Sequence, residues 1–581
     1  MKEDRLAFSE AALEVLRQRY LRRDETGQVI ESPEAMMERV ARAIAAPAGL
    51  FGEDERYWEE RFFGRMRRLE FLPNSPTLMN AGLADGQLAA CFVLPIEDNL
   101  ESIFTTLGRM ARIHQSGGGT GFSFSSLRPR RDRVRSTGGI TSGPLSFMDI
   151  FDLTTAVIRE GGRRRGANMA VLRIDHPDIE EFVEAKLKPG RLENFNLSVG
   201  VTDAFFEALE RREPFALRNP RTGREVSAVR PEALLEKICA AAWATGDPGL
   251  LFLDEINAHN PTPALGRIES TNPCGEQPLL PYESCTLGSL NLPAFLAGGE
   301  IDWSALREAV HDGVVFLDNV IEANSYPFPE IEAATRRTRK IGLGVMGLAN
   351  LFARLGIAYD SGEAELLAEK IAEFLTAEAR RCSAALGERR GSFPAFSQSV
   401  WPARGFTALR NATVTCVAPT GTISLIAGTS AAIEPFFALA FSRRILGTQF
   451  AAEINPLLRE ELERLGPDGE RALEEVRERG SIRDLEYLPA ELRRRFPIAL
   501  EIAPRWHLQM QAAFQKHVDA AVSKTVNLPR DAPPAAVREV FLLARQLRLK
   551  GVTIYRYGSR PGQALSLVQE GVRHDCRECA E

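Results

Sequence analysis

The segment Thr271-Asn272-Pro273-Cys274-Gly275-Glu276-Gln277-Pro278 places an amide, a thiol and a carboxylate at alternate positions. Two prolines and a glycine in these eight residues exclude a regular helix. In an extended chain alternate side chains share one side, so Asn272, Cys274 and Glu276 would project together. A carboxylate can act as a general base, and an asparagine can orient a hydroxyl. A thiol beside a carboxylate has a raised pKa and is a poor thiolate. Such a cysteine is a weak nucleophile but a good hydrogen-atom donor. The nearest histidine in sequence is His259, so the spacing points away from cysteine-protease chemistry. The chain has eight cysteines. Cys239, Cys382 and Cys416 stand among apolar or small neighbours and read as buried small hydrophobes. Cys91, Cys274, Cys285, Cys576 and Cys579 do not.

Glycine-rich segments are the other candidates. Gly342-Leu343-Gly344-Val345-Met346-Gly347 matches GxGxxG, with Asp360 further on. Residues 335–340 before it are too charged and too few for the buried first strand of a dinucleotide fold. The glycines there read as allowing close helix–strand packing. Gln115-Ser116-Gly117-Gly118-Gly119-Thr120-Gly121 reads as a flexible turn, either facing a ligand or plain. The segment 159–166 combines glycines with Arg159, Arg163, Arg164 and Arg165. It suits phosphates as well as a solvated charged turn. Pro419-Thr420-Gly421-Thr422-Ile423-Ser424 suits an anion at a strand-to-helix turn or a helix N-cap. No Walker loop occurs. The pair Cys576–Cys579 could exchange a disulfide. With His574 it offers only three zinc ligands, so no metal site is expected.

These groups need elements to hold them. The chain has 581 residues, 44% hydrophobic and 26% charged, with net charge -6. That is enough for a large core, in about four ordinary domains or fewer large ones. The mild acidity argues against nucleic acid or an anionic membrane as partner. No apolar run is long enough for a span, and the N-terminus lacks a secretory apolar region, so a cytoplasmic protein is expected. Residues 1–65 read as helices, over 8–21 and 35–46 in particular. Residues 73–82, rich in Pro, Asn and Ser, read as non-helical. From there to about 445, strand-like runs (171–174, 341–344, 414–417) alternate with helical stretches such as 363–386. That alternation is an α/β pattern. Residues 457–495 read as amphipathic surface helices, 535–550 as a helix, 552–555 as a strand and 569–581 as a mobile tail.

One order of landmarks runs through the chain: Pro73-Asn74-Ser75-Pro76-Thr77-Leu78, Ala90-Cys91, residues 117–121, Asn272-Pro273-Cys274-Gly275-Glu276, Cys285, 419–423, and Cys576-Arg577-Glu578-Cys579. In this order they resemble the ribonucleotide reductase catalytic subunits, and among them the adenosylcobalamin-dependent class II, over residues 71–560. The resemblance implies an α/β fold: a ten-stranded α/β barrel of two parallel five-stranded halves around a central finger loop. It divides the chain into a helical N-terminal region (1–65), the barrel (66–560) and a flexible CxxC tail (561–581). It makes Cys274 the thiyl-radical residue, with Glu276 taking the 3′-hydroxyl proton and Asn272 holding that hydroxyl. Cys91 and Cys285 become a redox pair, recharged through Cys576 and Cys579 by a thioredoxin-like reductant. Ser75, Ala90, Cys91, Gly119, Asn272, Glu276, Pro419, Thr420, Gly421, Thr422 and Ile423 would line the ribonucleotide substrate, expected as a diphosphate. Asp98, Arg128, Arg159, Gly161, Gly162, Arg163, Arg165 and Asn168 would serve a deoxynucleoside triphosphate effector at a homodimer interface. A helix N-cap is the other account of Asp98.

The oxygen-dependent class is the alternative. Its tyrosine relay needs an adjacent pair, and the matching segment reads Tyr555-Arg556-Tyr557. That class also commonly carries an N-terminal ATP-binding cone, for which the short helical region leaves little room. The glycyl-radical class would need Gly558, whose neighbours match that motif poorly. Adenosylcobalamin is therefore the expected cofactor. Without a DxHxxG segment, it should keep its own base on cobalt.

Overall fold

The computed structural model describes residues 8–84, 86–133, 139–160, 164–445, 448–559 and 565–566. Helices α1 (Glu10–Val15), α2 (Pro33–Ala45) and α3 (Glu55–Arg67) open the chain. Their starts are capped by Ser9, Ser32 and Asp54, whose side chains accept backbone N–H groups. Along α2, Met36, Met37, Val40, Ala41 and Ile44 are fully buried. This helical stripe packs into the same core cluster as the later helices. Residues 73–82, read as non-helical, contain a short helix α4 (Ser75–Asn80). Pro76 lies in its first turn, where no N–H is required, and the Asn74 side chain accepts from Thr77 N–H at 2.9 Å.

Ten strands form one mixed sheet. They are β1 (Phe71–Pro73), β2 (Cys91–Val93), β3 (Gly119–Ser123), β4 (Asn168–Arg173), β5 (Phe195–Val201), β6 (Gly249–Phe252), β7 (Ser284–Asn291), β8 (Ile341–Met346), β9 (Thr525–Leu528) and β10 (Gly551–Arg556). Strands β2 to β6 lie side by side and parallel. β6 meets β10 antiparallel, and β10 pairs with β9 in parallel. On the other edge β2 meets β7 antiparallel, while β8 runs parallel to β7. β1 also lies on β7. The 414–417 run, read as a strand, joins through single parallel bridges: Leu343 to Thr415 and Val417 to Val522. Every residue of β7 and β8 is buried, as parallel strands covered on both faces require.

Helices α5 (Leu100–Gln115), α6 (Pro144–Val157), α7 (Trp303–Ala323), α8 (Gly362–Arg390) and α9 (Gly421–Ile426) follow in order. Asp318 of α7 is fully buried. It binds Arg339 at 2.7 Å, Arg390 at 3.0 Å and Arg410 at 3.2 Å. Arg390 continues to Glu53, tying the N-terminal region to the helices around the sheet. Helices over 456–463, 467–479 and 490–495 occupy the region read as surface helices. No described helix is long and apolar enough to cross a membrane.

Candidate active site

Ser270–Thr271 pairs antiparallel with Pro278–Leu279, so Cys274 stands at the tip of a hairpin. The extended reading of 271–278 is therefore corrected. Asn272 N–H donates to the Gln277 carbonyl and Gly275 N–H to the Asn272 carbonyl, each at 3.1 Å. Gly275 takes φ +85°, which favours glycine. Asn272 and Glu276 converge because they stand on opposite arms of this turn. Asn272 Nδ2 donates to Cys91 Sγ at 3.1 Å, and Cys91 Sγ lies 3.9 Å from Glu276 Oε1. Both residues are buried, while Cys274 is half-buried.

The loop rests on β3, and alternate glycines make room for it. A Cβ on Gly121 would lie 1.7 Å from the Thr271 carbonyl oxygen, and one on Gly119 would lie 2.9 Å from Pro273 Cγ. Asn196 Nδ2 donates to the Pro273 carbonyl at 2.9 Å and holds the other side. Residues 115–121, read as a flexible turn, thus become strand from Gly119 onward.

Cys91 and Cys285 are direct partners across the antiparallel β2–β7 contact. Such pairs hold their Cβ atoms about 4.5–5.5 Å apart, a small movement from disulfide geometry. Both are free thiols here. Burial pushes the Cys91 thiol well up, and Glu276 pushes it further. Burial also raises Cys285, against the opposing pull of the Lys340 ammonium. Lys340 is itself buried and bonded to Glu283 at 2.6 Å. Sequence reasoning missed this pair, because only the β7–β8 register puts Lys340 next to Cys285. Cys239 and Cys382 are buried as read. Cys416 is buried too, but it packs in one cluster with Cys91 and Cys285. Its reading as an unremarkable hydrophobe misses that company.

Gly342 and Gly344 lie within β8, and Gly347 stands between β8 and a helix over Leu348–Leu355. A Cβ on Gly342 would meet Cys416 Sγ and Gln277 Nε2, and one on Gly344 would meet the Cys416 carbonyl. At Gly342 and Gly344 the close packing is against the 414–417 run and the finger loop, not against a helix as read.

Among the expected substrate residues, Ser75 Oγ pairs with Tyr20 Oη at 2.7 Å. The Ala90 carbonyl accepts from Gly119 N–H at 2.9 Å. Pro419 and Thr420 precede α9, with Gly421 exposed and Thr422 half-buried at its start and Ile423 buried behind. Thr420 has φ +56°, and its hydroxyl accepts from Ala432 N–H at 2.7 Å, so it does not cap the helix. Asp98 is not a cap either: Asn99 caps α5, and Asp98 pairs with Arg128 at 2.7 Å. Residues 159–160 and 164–165 pair antiparallel, which places the backbone of Arg159 against that of Arg165. Gly161, Gly162, Arg163, Cys576 and Cys579 lie outside the described residues. Asn168, expected to serve an effector, is instead fully buried, and its amide is used internally by Thr120 and Thr155. Its place on a central strand, invisible in a local motif, is the reason. Among the described residues no acidic, Cys and His cluster could hold a metal ion.

A family profile described as "Ribonucleotide reductase, barrel domain" matches residues 89–408 and 406–555. One described as "Ribonucleotide reductase, all-alpha domain" matches 6–86. The vitamin B12-dependent ribonucleoside-diphosphate reductase of Mycobacterium tuberculosis is 55% identical, over 97% of this chain and 81% of its own. The protein of the same name from Thermoplasma acidophilum is 45% identical, over 97% and 81%. Among solved structures, the Actinobacillus ureae class Id ribonucleotide reductase alpha subunit superposes with a TM-score of 0.77 at 25% identity, covering 95% of this chain and 97% of that one.

Proposed function

Because the chain belongs to the ribonucleotide reductase family, we propose that it reduces ribonucleoside diphosphates to 2′-deoxyribonucleotides with vitamin B12 as cofactor, as the names of its 55% and 45% identical relatives state for them. The observation that carries this reading is a finger-loop tip closing on Cys91 where Cys91 faces Cys285. Cys274 carries the thiyl radical and takes the substrate's 3′-hydrogen atom. Glu276 accepts the 3′-hydroxyl proton, and Asn272 holds that hydroxyl. Cys91, kept protonated by burial and by Glu276, gives its proton to the departing 2′-hydroxyl, which leaves as water. Cys91 and Cys285 supply two electrons as they join in a disulfide, and the hydrogen atom returns from Cys274. One ribonucleotide and two thiols thus become one deoxyribonucleotide, one water and one disulfide.

The tip of the finger loop presents an open face on which adenosylcobalamin could rest. Cys274 is half-buried beside buried redox thiols, and a Cβ on Gly275 would meet nothing within 4 Å. Cys274 and Gly275 would form the wall it rests against. When bound, it supplies the initiating radical. His114, His176 and His507 are buried in internal hydrogen bonds, while His259, His311 and His517 lie against Glu255, Glu378 and Glu369.

Two parallel runs, β2–β6 and β7–β8 continued through Thr415, Val417 and Val522 to β9 and β10, support a closed barrel of two five-stranded halves. Ser75, Ala90, Gly119 and Pro419 to Ile423 line the substrate. Asp98 and Arg128 stand at the start of α5, beside an apolar stripe of Leu100, Phe104, Ile150, Leu153 and Val157 that is exposed across α5 and α6. That stripe supports a homodimer with a deoxynucleoside triphosphate effector beside it. The Cys576–Cys579 tail returns electrons from a thioredoxin-like protein.

The assay combines adenosylcobalamin, dithiothreitol, a ribonucleoside diphosphate and a deoxynucleoside triphosphate. Deoxynucleotide should form, and Cys274→Ala should abolish it while the fold persists. Activity without cobalamin but with a radical-generating partner would favour the oxygen-dependent class. A folded protein inactive under both conditions would refute the reading.

A further inference from the structure

A buried ion pair stands behind the redox cysteines and takes no part in the chemistry described so far. Thr286 of β7 faces Ile341 of β8, and Leu287 faces Gly342. Facing residues of paired strands share a side, and successive residues alternate sides. Cys285 and Lys340, one position earlier on each strand, therefore lie on the side of Leu287 and Gly342. A Cβ on Gly342 would meet Leu287 Cδ2 and Cys416 Sγ there. Lys340 thus sets an ammonium among thiols and apolar groups, at 2% exposure. Glu283, two residues before Cys285, joins it at 2.6 Å and is equally buried. The carboxylate is fixed from three directions. Lys340 and the Leu280 N–H, at 2.7 Å, share Oε2, and the Thr338 hydroxyl donates to Oε1 at 2.8 Å. A buried ion pair adds little net stability over apolar packing, so its place beside a thiol calls for another account.

The two cysteines of the pair meet opposite charges. Cys91 Sγ lies 3.9 Å from Glu276 Oε1. Burial raises both thiols, and Glu276 raises Cys91 further. At Cys285 the strongest influence after burial is Lys340, which opposes it and exceeds that of Glu276 or of Glu283. Cys416, packed with both, is itself a thiol held up by burial. In thiol–disulfide exchange the departing sulfur carries away the electron pair, and it departs faster the better it bears negative charge. Cys285 is the sulfur of the two that has a cation to receive that charge.

We propose that Lys340, held by Glu283, is a positioning residue that sets the direction in which the Cys91–Cys285 disulfide is opened: the thiolate of a dithiol reductant bonds to Cys91 Sγ, and Cys285 departs as the thiolate beside Lys340. This rests on the reading above that the two cysteines join during turnover. In the first step the Cys91–Cys285 bond breaks, and its electron pair goes to Cys285. The second thiolate of the reductant then attacks the reductant sulfur bonded to Cys91 and expels Cys91. The dithiol ends as a disulfide, and its two protons end on Cys91 and Cys285.

The test uses the full chain with Cys576→Ser and Cys579→Ser, so that the tail cannot compete. The pair is oxidised with diamide, freed of oxidant and given a brief pulse of 2-mercaptoethanol. Acid quenching, maleimide blocking and peptide mass spectrometry then locate the adduct, and the rate of reduction by dithiothreitol is measured separately. In the parent, the adduct on Cys91 should exceed that on Cys285 by roughly tenfold or more. Lys340→Met combined with Glu283→Gln removes both charges together, since removing one would strand the other. In that variant the preference for Cys91 should shrink about fivefold or more, and reduction should slow about tenfold, because the departing thiolate has lost its cation. Lys340→Arg keeps the charge and should stay within about threefold of the parent on both measures. Should the neutral pair misfold by circular dichroism, Lys340→Gln with Glu283→Gln carries the same expectation. An adduct chiefly on Cys285 in the parent overturns the proposal. Slower reduction with an unchanged preference in the folded neutral pair also overturns it, since the ions would then serve the fold alone. A parent that shows the preference but reduces no ribonucleotide places the failure in the reductase reading and not in the ion pair.

Discussion

At the scale of single residues, the site depends as much on absent side chains as on reactive ones. Gly121 supports the loop by offering no Cβ where the Thr271 carbonyl lies. Gly121→Ala should therefore lift Cys274, Asn272 and Glu276 together. A misplacement of about 1 Å can cost on the order of 100-fold in rate. Turnover should fall at least that far with the circular dichroism spectrum unchanged. Near-normal turnover would show that the glycine track does not seat the loop. The proximity of Asn272, Cys274 and Glu276 was legible in sequence because the three lie within five residues. The company kept by Cys416 and Asn168 was not, since it depends on strands paired from distant parts of the chain.

At the scale of elements, local rules worked where local forces decide. The amphipathic N-terminal helices and the surface helices of 457–495 follow from periodicity. The misreading of α4 shows proline content being weighed without position: Pro76 falls in the first turn, where proline is welcome. The anchoring of α7 was also out of reach, because Asp318 gathers arginines from three later segments. Burial alone would raise its carboxyl, but the pull of Arg339, Arg410 and Arg390 outweighs it and holds the pKa below the ordinary value. A depressed folded-state pKa contributes stability that is present above the unfolded value, about 3.9, and lost as pH falls below it. Asp318→Asn should destabilise by roughly 3–5 kcal/mol at neutral pH, as breaking a buried ion cluster does. It should also flatten the loss of stability below about pH 4. Urea unfolding from pH 7 to pH 3 measures both, and an unchanged midpoint would mean that the arginines find other partners.

At the scale of the whole molecule, the apolar stripe on α5 and α6 is the feature that a single chain leaves unexplained. Exposures of 66% at Leu153 and 74% at Val157 suit a surface meant to be covered. Leu153→Glu should convert a dimer to monomers in sedimentation velocity and remove the effector response while leaving the barrel folded. A dimer that survives the substitution would move the interface elsewhere. The α/β class was legible from alternation alone, and so was the 414–417 run, whereas its partners, Leu343 and Val522, depend on pairing between distant parts of the chain. The pairing of Cys91 with Cys285 has one more consequence. The two cysteines belong to opposite sides of an antiparallel contact and are separated by β2 through β6 in sequence. On the proposed chemistry, every turnover sews that stretch of polypeptide into a covalent ring, and every reduction opens it again. A ring of that size restricts the unfolded chain by on the order of 5 kcal/mol. The enzyme would then alternate between two chain topologies of different resilience, hardest to unravel just after it has made product.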